Sequence, residues 1–401
     1  MHVLLADAIA DAGVEQLRAA GHRVLVLPQL SGDALRTALV DHAPQVLVVR
    51  STRVTKDILD GNPQLELIVR AGAGYDTIDV AAASDRGIFV SNCPGKNSAA
   101  VAELTIGLLI SLDRRIPDNV ADAREGRWNK TAYGGAAGLR GRTLGVIGLG
   151  NIGTRVSEHA LSLGMSVIAW SRSLTDGRAS ELGVRWARHR LQVAEEADAV
   201  TWHVAATEET RGMADRTFFE HMKDDALFIN TTRSSVVDES ALRWALDEKG
   251  IRAALDVLSS EPSAKAGSFE HPLAVHPSVY VTHHIGASTQ QAQTATSEEV
   301  ARIVTVYDET GHAPNCVNLE EHSPATHVLT VRHLDRVGVL AAVLDQVRKA
   351  GWNVQEMENL VFSGAGAACA RIRFDGDARG DVLSLIEDHP DVLAVSMIEL
   401  T

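Results

Sequence analysis

Apolar positions in the first hundred residues fall into short compact runs at 3–6, 24–27, Val46–Val49, 67–69 and 89–90. Amphipathic stretches such as 14–20 and 34–41 separate them. That alternation predicts strands and crossover helices, a parallel α/β unit. The apolar stretch 98–112 predicts a long helix, with Asn97 or Ser98 as its cap. A second series follows, with strands expected at 143–148, Ser166–Trp170, 199–203, Leu227–Asn230, 253–256 and 279–282. Six strands with helical spacers predict a doubly wound nucleotide-binding sheet. Residues 289–311 predict one long helix, apolar at Val300, Ile303, Val304 and Tyr307.

The pattern changes after residues 313–324, a linker-like segment carrying Pro314, Asn315, Asn318 and Pro324. Strand, helix, strand, strand, helix and strand are expected at 327–332, 337–350, 354–362, 367–374, 379–388 and 392–400. A hairpin turn is expected at 363–366. This is the ferredoxin-like order.

The chain has 401 residues, a length that favours two or three domains. Hydrophobic residues make up 45% and charged residues 22%, the range of ordinary globular proteins. No apolar run approaches the roughly 20 residues of a membrane helix. The start, Met1 to Asp7, lacks the basic segment of a secretory leader. Cys93, Cys316 and Cys369 are widely spaced and odd in number, which predicts reduced thiols, a cytoplasmic protein and no metal site. The formal charge of −14 opposes nucleic-acid and anionic-membrane partners. It leaves room for a small anionic substrate in a cleft with locally placed arginines.

Between the expected strand at 143–148 and a helix at 152–163 lies Gly148-Leu-Gly150-Asn151-Ile152-Gly153. Glycines there permit a tight turn and close backbone approach to a pyrophosphate, which the helix N-terminus attracts. An NAD-specific site places an acid at the end of the next strand. Here that stretch is Ala169-Trp170-Ser171-Arg172-Ser173. Ser171 does not repel a 2′-phosphate and Arg172 could bind one, so both NAD and NADP stay open.

Three residues downstream of that turn carry candidate chemistry: Arg233 in Asn230-Thr-Thr-Arg, Glu261 before Pro262, and His284 in Thr282-His-His-Ile-Gly286. An imidazole can exchange a proton with a hydroxyl or ketone oxygen. A carboxylate beside it would orient the ring and favour imidazolium. A guanidinium suits a carboxylate next to a carbonyl. The adjacent His283 is the second candidate for the base.

These motifs, with residues 67–79 (LIVRAGAGYDTID), 87–102 (GIFVSNCPGKNSAAVA), 201–212 (TWHVAATEETRG), 228–242 (FINTTRSSVVDESAL) and 253–262 (AALDVLSSEP), resemble the D-isomer-specific 2-hydroxyacid dehydrogenases. The resemblance spans essentially the whole chain. It implies two Rossmann-like domains: a substrate domain of residues 1–98 with 290–318, and an NAD(P)-binding domain of residues 99–289. It further implies a linker at 319–325 and a C-terminal ferredoxin-like α+β ACT-like domain at 326–401. Arg233 would bind substrate, Glu261 support the base, and His284 act as acid/base. His203, Val204, Thr231, Thr232, Asp256 and Gly286 would serve the cofactor, Asp256 by holding the nicotinamide carboxamide. Amides of residues 71–74, Ala73 and Gly74 among them, would cradle the substrate carboxylate.

Arg50, Ser51, Arg53 and Arg70 resemble phosphate contacts of family members that oxidise 3-phospho-D-glycerate with NAD at the start of serine biosynthesis. Lys96 and Lys130 could add charge, the latter from a neighbouring subunit. His333, Asp335 and Asn353 match effector positions that hold serine at a domain interface in related ACT domains, with Asp335 and Val337 where Asn and Pro are usual. Ser234, His283 and Ala205 stand where the family carries Gly, Pro and Pro. Related enzymes are homodimers or homotetramers joined through 98–112 and the segment after it. Rival expectations are a glyoxylate/hydroxypyruvate or D-lactate reductase using NAD(P)H, and a non-enzymatic dinucleotide-sensing corepressor.

Overall fold

The first apolar runs form strands β1 (His2–Leu5), β2 (Arg23–Val26), β3 (Val46–Val49), β4 (Leu67–Arg70) and β5 (Phe89–Asn92) in a computed structural model. It describes residues 1–401 apart from 263–266, 321–322, 365, 378–379 and 401. The strands pair in parallel in the order β2-β1-β3-β4-β5. Val46–Val49 is buried along its whole length, as expected of a parallel strand covered by helices on both faces. Strand order reverses direction between β1 and β3, so the loops leaving these strands, at Asp7 and Arg50, flank a natural crevice.

A second parallel sheet contains β6 (Thr143–Ile147), β7 (Ser166–Trp170), β8 (Arg185–Trp186), β9 (Ala199–Trp202), β10 (Leu227–Asn230), β11 (Arg252–Leu255) and β12 (Val279–Val281). Its order is β12-β11-β10-β9-β6-β7-β8. The sequence predicts six of these strands. The seventh, β8, is two exposed edge residues and leaves no apolar run to detect. The crevice here lies between β6 and β9. An aromatic cluster fixes one face, with Trp202 and Phe218 edge to face at 4.9 Å and Phe219 against Phe228 at 5.1 Å.

The predicted long helices are Ser98–Arg114 and Gln290–Thr310. Asn97 holds the N-cap position of the first, as expected, although its side chain makes no cap hydrogen bond. Helix Gln290–Thr310 returns to the first sheet, where Val300, Ile303 and Val304 pack on Val3, Leu5 and Val48. Met1–Asn318 and Leu319–Thr401 are separate compact units.

Among the described residues, the second unit is one antiparallel sheet with two helices, Val339–Lys349 and Gly380–Glu387. Its strands are β13 (His327–Leu334), β14 (Asn353–Val361), β15 (Ala367–Asp375) and β16 (Val392–Glu399), in the order β14-β15-β13-β16. Trp352 stacks on Phe374 at 4.2 Å in its core. The first helix starts at Val339 rather than 337 because Gly338 has a φ of 95°. Residue 365 of the predicted turn, 379 of the second predicted helix and 321–322 of the predicted linker lie outside the described residues. No described helix is long and apolar enough to cross a membrane. The cysteines are free, and burial pushes the Cys93 thiol up to about 12, leaving it a neutral packing group.

One ionic cluster ties helix Gln290–Thr310 to the segment entering helix Ser98–Arg114. Glu299, with a side chain 6% exposed, accepts from Arg302 at 2.6 Å and Asn315 at 2.8 Å and pairs with Lys96 at 3.2 Å. These bonds, Arg302 first, outweigh burial and hold its carboxyl at about 2, below the ordinary 4.5. Lys96 is therefore a structural cation, which corrects its assignment to a phosphate site. A depressed folded-state pKa gives stability that is present above the unfolded value and lost as pH falls through the folded one. Glu299→Gln should lower stability by about 1 kcal/mol at neutral pH, given its exposed partners. The loss of urea midpoint between about pH 4.5 and 2 should be shallower than in the parent; parallel acid limbs would refute this.

Candidate active site

Turn 148–153 leaves β6 with Gly148 at a φ of 95°. A Cβ on Gly148 would lie 2.7 Å from the His203 backbone, and one on Gly153 2.1 Å from the Gly148 carbonyl. Gly150 faces open space, so a ligand can approach its backbone there. Helix Asn151–Ser162 begins without a side-chain cap, leaving the first-turn N–H groups of Asn151, Ile152 and Gly153 for an anion. Open backbone, unspent donors and sterically required glycines fit the pyrophosphate of a dinucleotide.

Other predicted cofactor residues line the same end of the sheet. His203 binds Thr201 Oγ1 at 3.0 Å, and burial pushes its imidazole down to about 3, so it stays neutral. Val204 packs against the aromatic core. Thr231 reaches Thr105 at 3.2 Å, and Thr232 donates to Asn230 at 2.6 Å. Ser171 is half-buried and Arg172 exposed.

Asp256 departs from its expected role. It is 1% exposed, and its Oδ1 accepts from Thr282 Oγ1 at 2.6 Å and Ile285 N–H at 2.9 Å. Its Oδ2 accepts from the Gly286 N–H at 2.8 Å, and its carbonyl from the His284 N–H at 2.9 Å. In this structure it is the anchor of the His284 loop rather than an open acceptor. The Gly286 N–H is spent in the same place, and a Cβ there would lie 3.0 Å from Asp256 Oδ2.

That anchoring matters because His284 has a φ of 52°, a conformation costly for a residue with a Cβ. Its Nδ1 lies 2.8 Å from Glu261 Oε2, while Glu261 Oε1 accepts from the Leu258 N–H at 3.0 Å. Burial pushes the Glu261 carboxyl up, but the His284 hydrogen bond and the nearby charges of His284 and Arg233 leave it below its ordinary value. The carboxylate thus fixes Nδ1–H as the donor and leaves Nε2 for a proton in transit. His283 is exposed, and among the described residues it makes no hydrogen bond or ion pair.

Arg233, Glu261 and His284 line one cleft of about 1250 Å³ with Arg36, Arg50, Ser51, Arg53, Arg70 and Asp76. Arg233 follows β10 and pairs with Asp76 at 3.1 Å. Arg70 ends β4; burial, then the charge of Arg233, lowers it to about 10, which still leaves a cation at neutral pH. Arg70 and Arg233 cross the loop at 71–74, where a Cβ on Gly72 would meet Arg70 Nη1 at 1.6 Å. The Ala71 and Gly72 N–H groups are spent on the Val49 and Arg70 carbonyls, which narrows the expected amide cradle. Ala73 and Gly74 N–H groups take no acceptor among the described residues.

Asp7, missed by sequence reasoning, accepts the backbone N–H groups of Arg50, Ser51 and Thr52 at 2.7, 2.9 and 2.9 Å. Its place at the end of β1, beside the strand-order reversal, was the available signal. Asp76 lay within a quoted motif, and Arg36 has no sequence signal. Lys130 sits on an exposed segment away from this lining.

Within one chain the predicted effector trio is not gathered. His333 is buried, with Nδ1 on the Leu334 carbonyl at 2.7 Å and Nε2 on Asn359 at 3.2 Å. At 1% exposure it is a buried histidine within its own unit. Asn353 pairs with Asp375 at one end of the sheet, whereas His333 pairs with Ala368 at the other, next to exposed Asp335.

Removing the Asp256 carboxylate would free three donors and the strained backbone of His284. Asp256→Ala should cost about 1–3 kcal/mol in urea unfolding and speed amide exchange at Ile285 and Gly286; unchanged exchange there would refute the anchoring role.

Residues 106–286 match the model of the D-isomer specific 2-hydroxyacid dehydrogenase NAD binding domain. The chain is 37% identical over 319 residues to the D-3-phosphoglycerate dehydrogenase of Methanocaldococcus jannaschii, covering 79% of this chain and 59% of that protein. It is 32% identical over 404 residues to the D-3-phosphoglycerate dehydrogenase of Escherichia coli K12, covering 98% of this chain and 97% of that protein. The crystal structure of TT0316 protein from Thermus thermophilus superposes with a TM-score of 0.70 at 30% identity, covering 79% of this chain and all of that one. The chain spans only about three-fifths of the archaeal relative but nearly all of the bacterial one. Fold, dinucleotide turn and sequence agree: the chain belongs to the D-isomer specific 2-hydroxyacid dehydrogenase family.

Proposed function

We propose that this protein is a cytoplasmic enzyme that oxidises 3-phospho-D-glycerate to 3-phosphooxypyruvate with NAD, the entry step of L-serine formation. The observation that carries the reading is the 2.8 Å His284–Glu261 pair facing the same cleft as Arg233. Arg233 and the unspent Ala73 and Gly74 N–H groups receive the substrate carboxylate. Nε2 of His284 takes the C2 hydroxyl proton while Glu261 stabilises the imidazolium. When bound, the dinucleotide supplies the hydride acceptor, held at the turn 148–153. Arg50 and Ser51, with Arg36 and Arg53, meet the phosphate at the far end of the cleft.

Residues 1–98 with 290–318 then serve as the substrate-binding part and 99–289 as the cofactor-binding part. The ferredoxin-like unit fits an ACT-like regulatory role by its element order. Self-association fits the segment after helix Ser98–Arg114, because helix Ile116–Arg124 has no buried residue and Trp128 is 89% exposed.

A second reading is favoured by Ser171-Arg172: reduction of glyoxylate or hydroxypyruvate with NADPH. Initial rates with phosphoglycerate and hydroxypyruvate, each with both cofactors and with and without serine, separate the two. Under the first reading His284→Ala lowers kcat by about 10²–10⁴. Arg50→Ala raises KM for the phosphorylated substrate by about tenfold or more and leaves hydroxypyruvate within about twofold. Full turnover by His284→Ala would overturn the assignment, and equal losses on both substrates would overturn the phosphate site.

A further inference from the structure

Asp76 belongs to the loop after β4, and Arg233 to the loop after β10 in the other sheet, 157 residues away. Asp76 Oδ1 accepts from Arg233 Nε at 3.3 Å and Nη2 at 3.1 Å, while Arg233 Nη1 donates to the Thr232 carbonyl at 2.9 Å. A guanidinium has five N–H groups. With three engaged, one N–H remains on each terminal nitrogen. That remaining pair is what an incoming carboxylate needs for a two-point contact.

Two further observations mark the contact as built. A Cβ on Gly74 would fall 2.2 Å from Arg233 Nη2 and 3.1 Å from Asp76 Oδ1, so only glycine lets the ion pair lie against this loop. Asp76 also faces a second guanidinium. Burial pushes its carboxyl up, but the charge and hydrogen bonds of Arg233, with the charge of Arg70, hold it below the ordinary range.

We propose that Asp76 is a positioning residue for Arg233: it clamps one edge of the guanidinium across the two sheets and turns the other edge to the substrate carboxylate. This rests on the 2-hydroxy-acid reading given above. It makes a prediction opposite to that of simple electrostatics. If Asp76 only diluted positive charge, removing it would tighten anion binding. If it positions Arg233, removing it weakens productive binding because the unclamped fork swings away from the repelling charge of Arg70.

The test measures kcat and KM separately for 2-keto-acid reduction in the full chain and its Asp76→Ala and Asp76→Asn variants, with NADH affinity read by fluorescence. Asp76→Ala should lower kcat/KM by about tenfold to a hundredfold, mainly through KM, with NADH affinity within about twofold. Asp76→Asn keeps an acceptor oxygen and should recover much of the loss. If Asp76→Ala does not fold, Asp76→Asn decides, with a loss of about threefold expected. A lower KM, an unchanged kcat/KM, or an equal loss of NADH affinity in the folded variant overturns the inference, as does an unchanged Asp76→Asn when it alone folds. An active parent with unaffected variants overturns this inference alone. A parent inactive on every 2-hydroxy or 2-keto acid overturns the functional reading and this inference with it.

Discussion

The buried carboxylate of Asp256 holds the Thr282 hydroxyl and two successive backbone N–H groups, and its own carbonyl holds a third. The rest of the site hangs from this knot. His284 can stay in a left-handed backbone conformation only because both of its flanks are tied down. From there the imidazole reaches Glu261, whose preceding residue, Ser260, also has a positive φ of 59°. The His284 loop is thus held toward Glu261 by an acid outside their contact, while Glu239 holds the facing loop through Ser259. Strain of this kind is stored where geometry must be exact to a fraction of an ångström.

Charge in the cleft is organised by pairing rather than by excess. The chain is acidic overall, yet the cleft gathers Arg36, Arg50, Arg53, Arg70 and Arg233. Four of the six acids lining it are committed: Asp7 to backbone donors, Asp60 to Arg86, Asp76 to Arg233 and Glu261 to His284, while Asp33 and Asp57 make no ion pair among the described residues. An anion entering the cleft therefore meets guanidinium groups beside which most carboxylates are already occupied.

Much of this was legible in the sequence, for identifiable reasons. Apolar runs such as Val46–Val49 mark parallel strands because both faces are covered, and the glycines of 148–153 mark positions where a Cβ has no room. What stayed hidden depends on three-dimensional partners. Asp256 looks like an open acid until Thr282, Ile285 and Gly286 fold back onto it. Lys96 looks like an anion ligand until helix Gln290–Thr310 brings Glu299 to it. His333 sits in a loop-like motif, yet it is buried in the sheet between Leu334 and Asn359. In each case the residue type is informative and the partner, remote in sequence or set by strand register, decides the role.

The two parallel sheets each possess a mouth where strand order reverses, and Asp7 gives them different fates. Three amides converge at the mouth of the first sheet, the arrangement that elsewhere receives a phosphate. Here the chain's own carboxylate fills it. An anion reaching this mouth is met by the Arg50 and Arg53 side chains and not by free amides, whereas the mouth of the second sheet keeps its amides open. A fold used twice in one polypeptide is in this way kept from competing with itself: one copy is left open for the dinucleotide, and the other is plugged so that its side chains can serve a different guest.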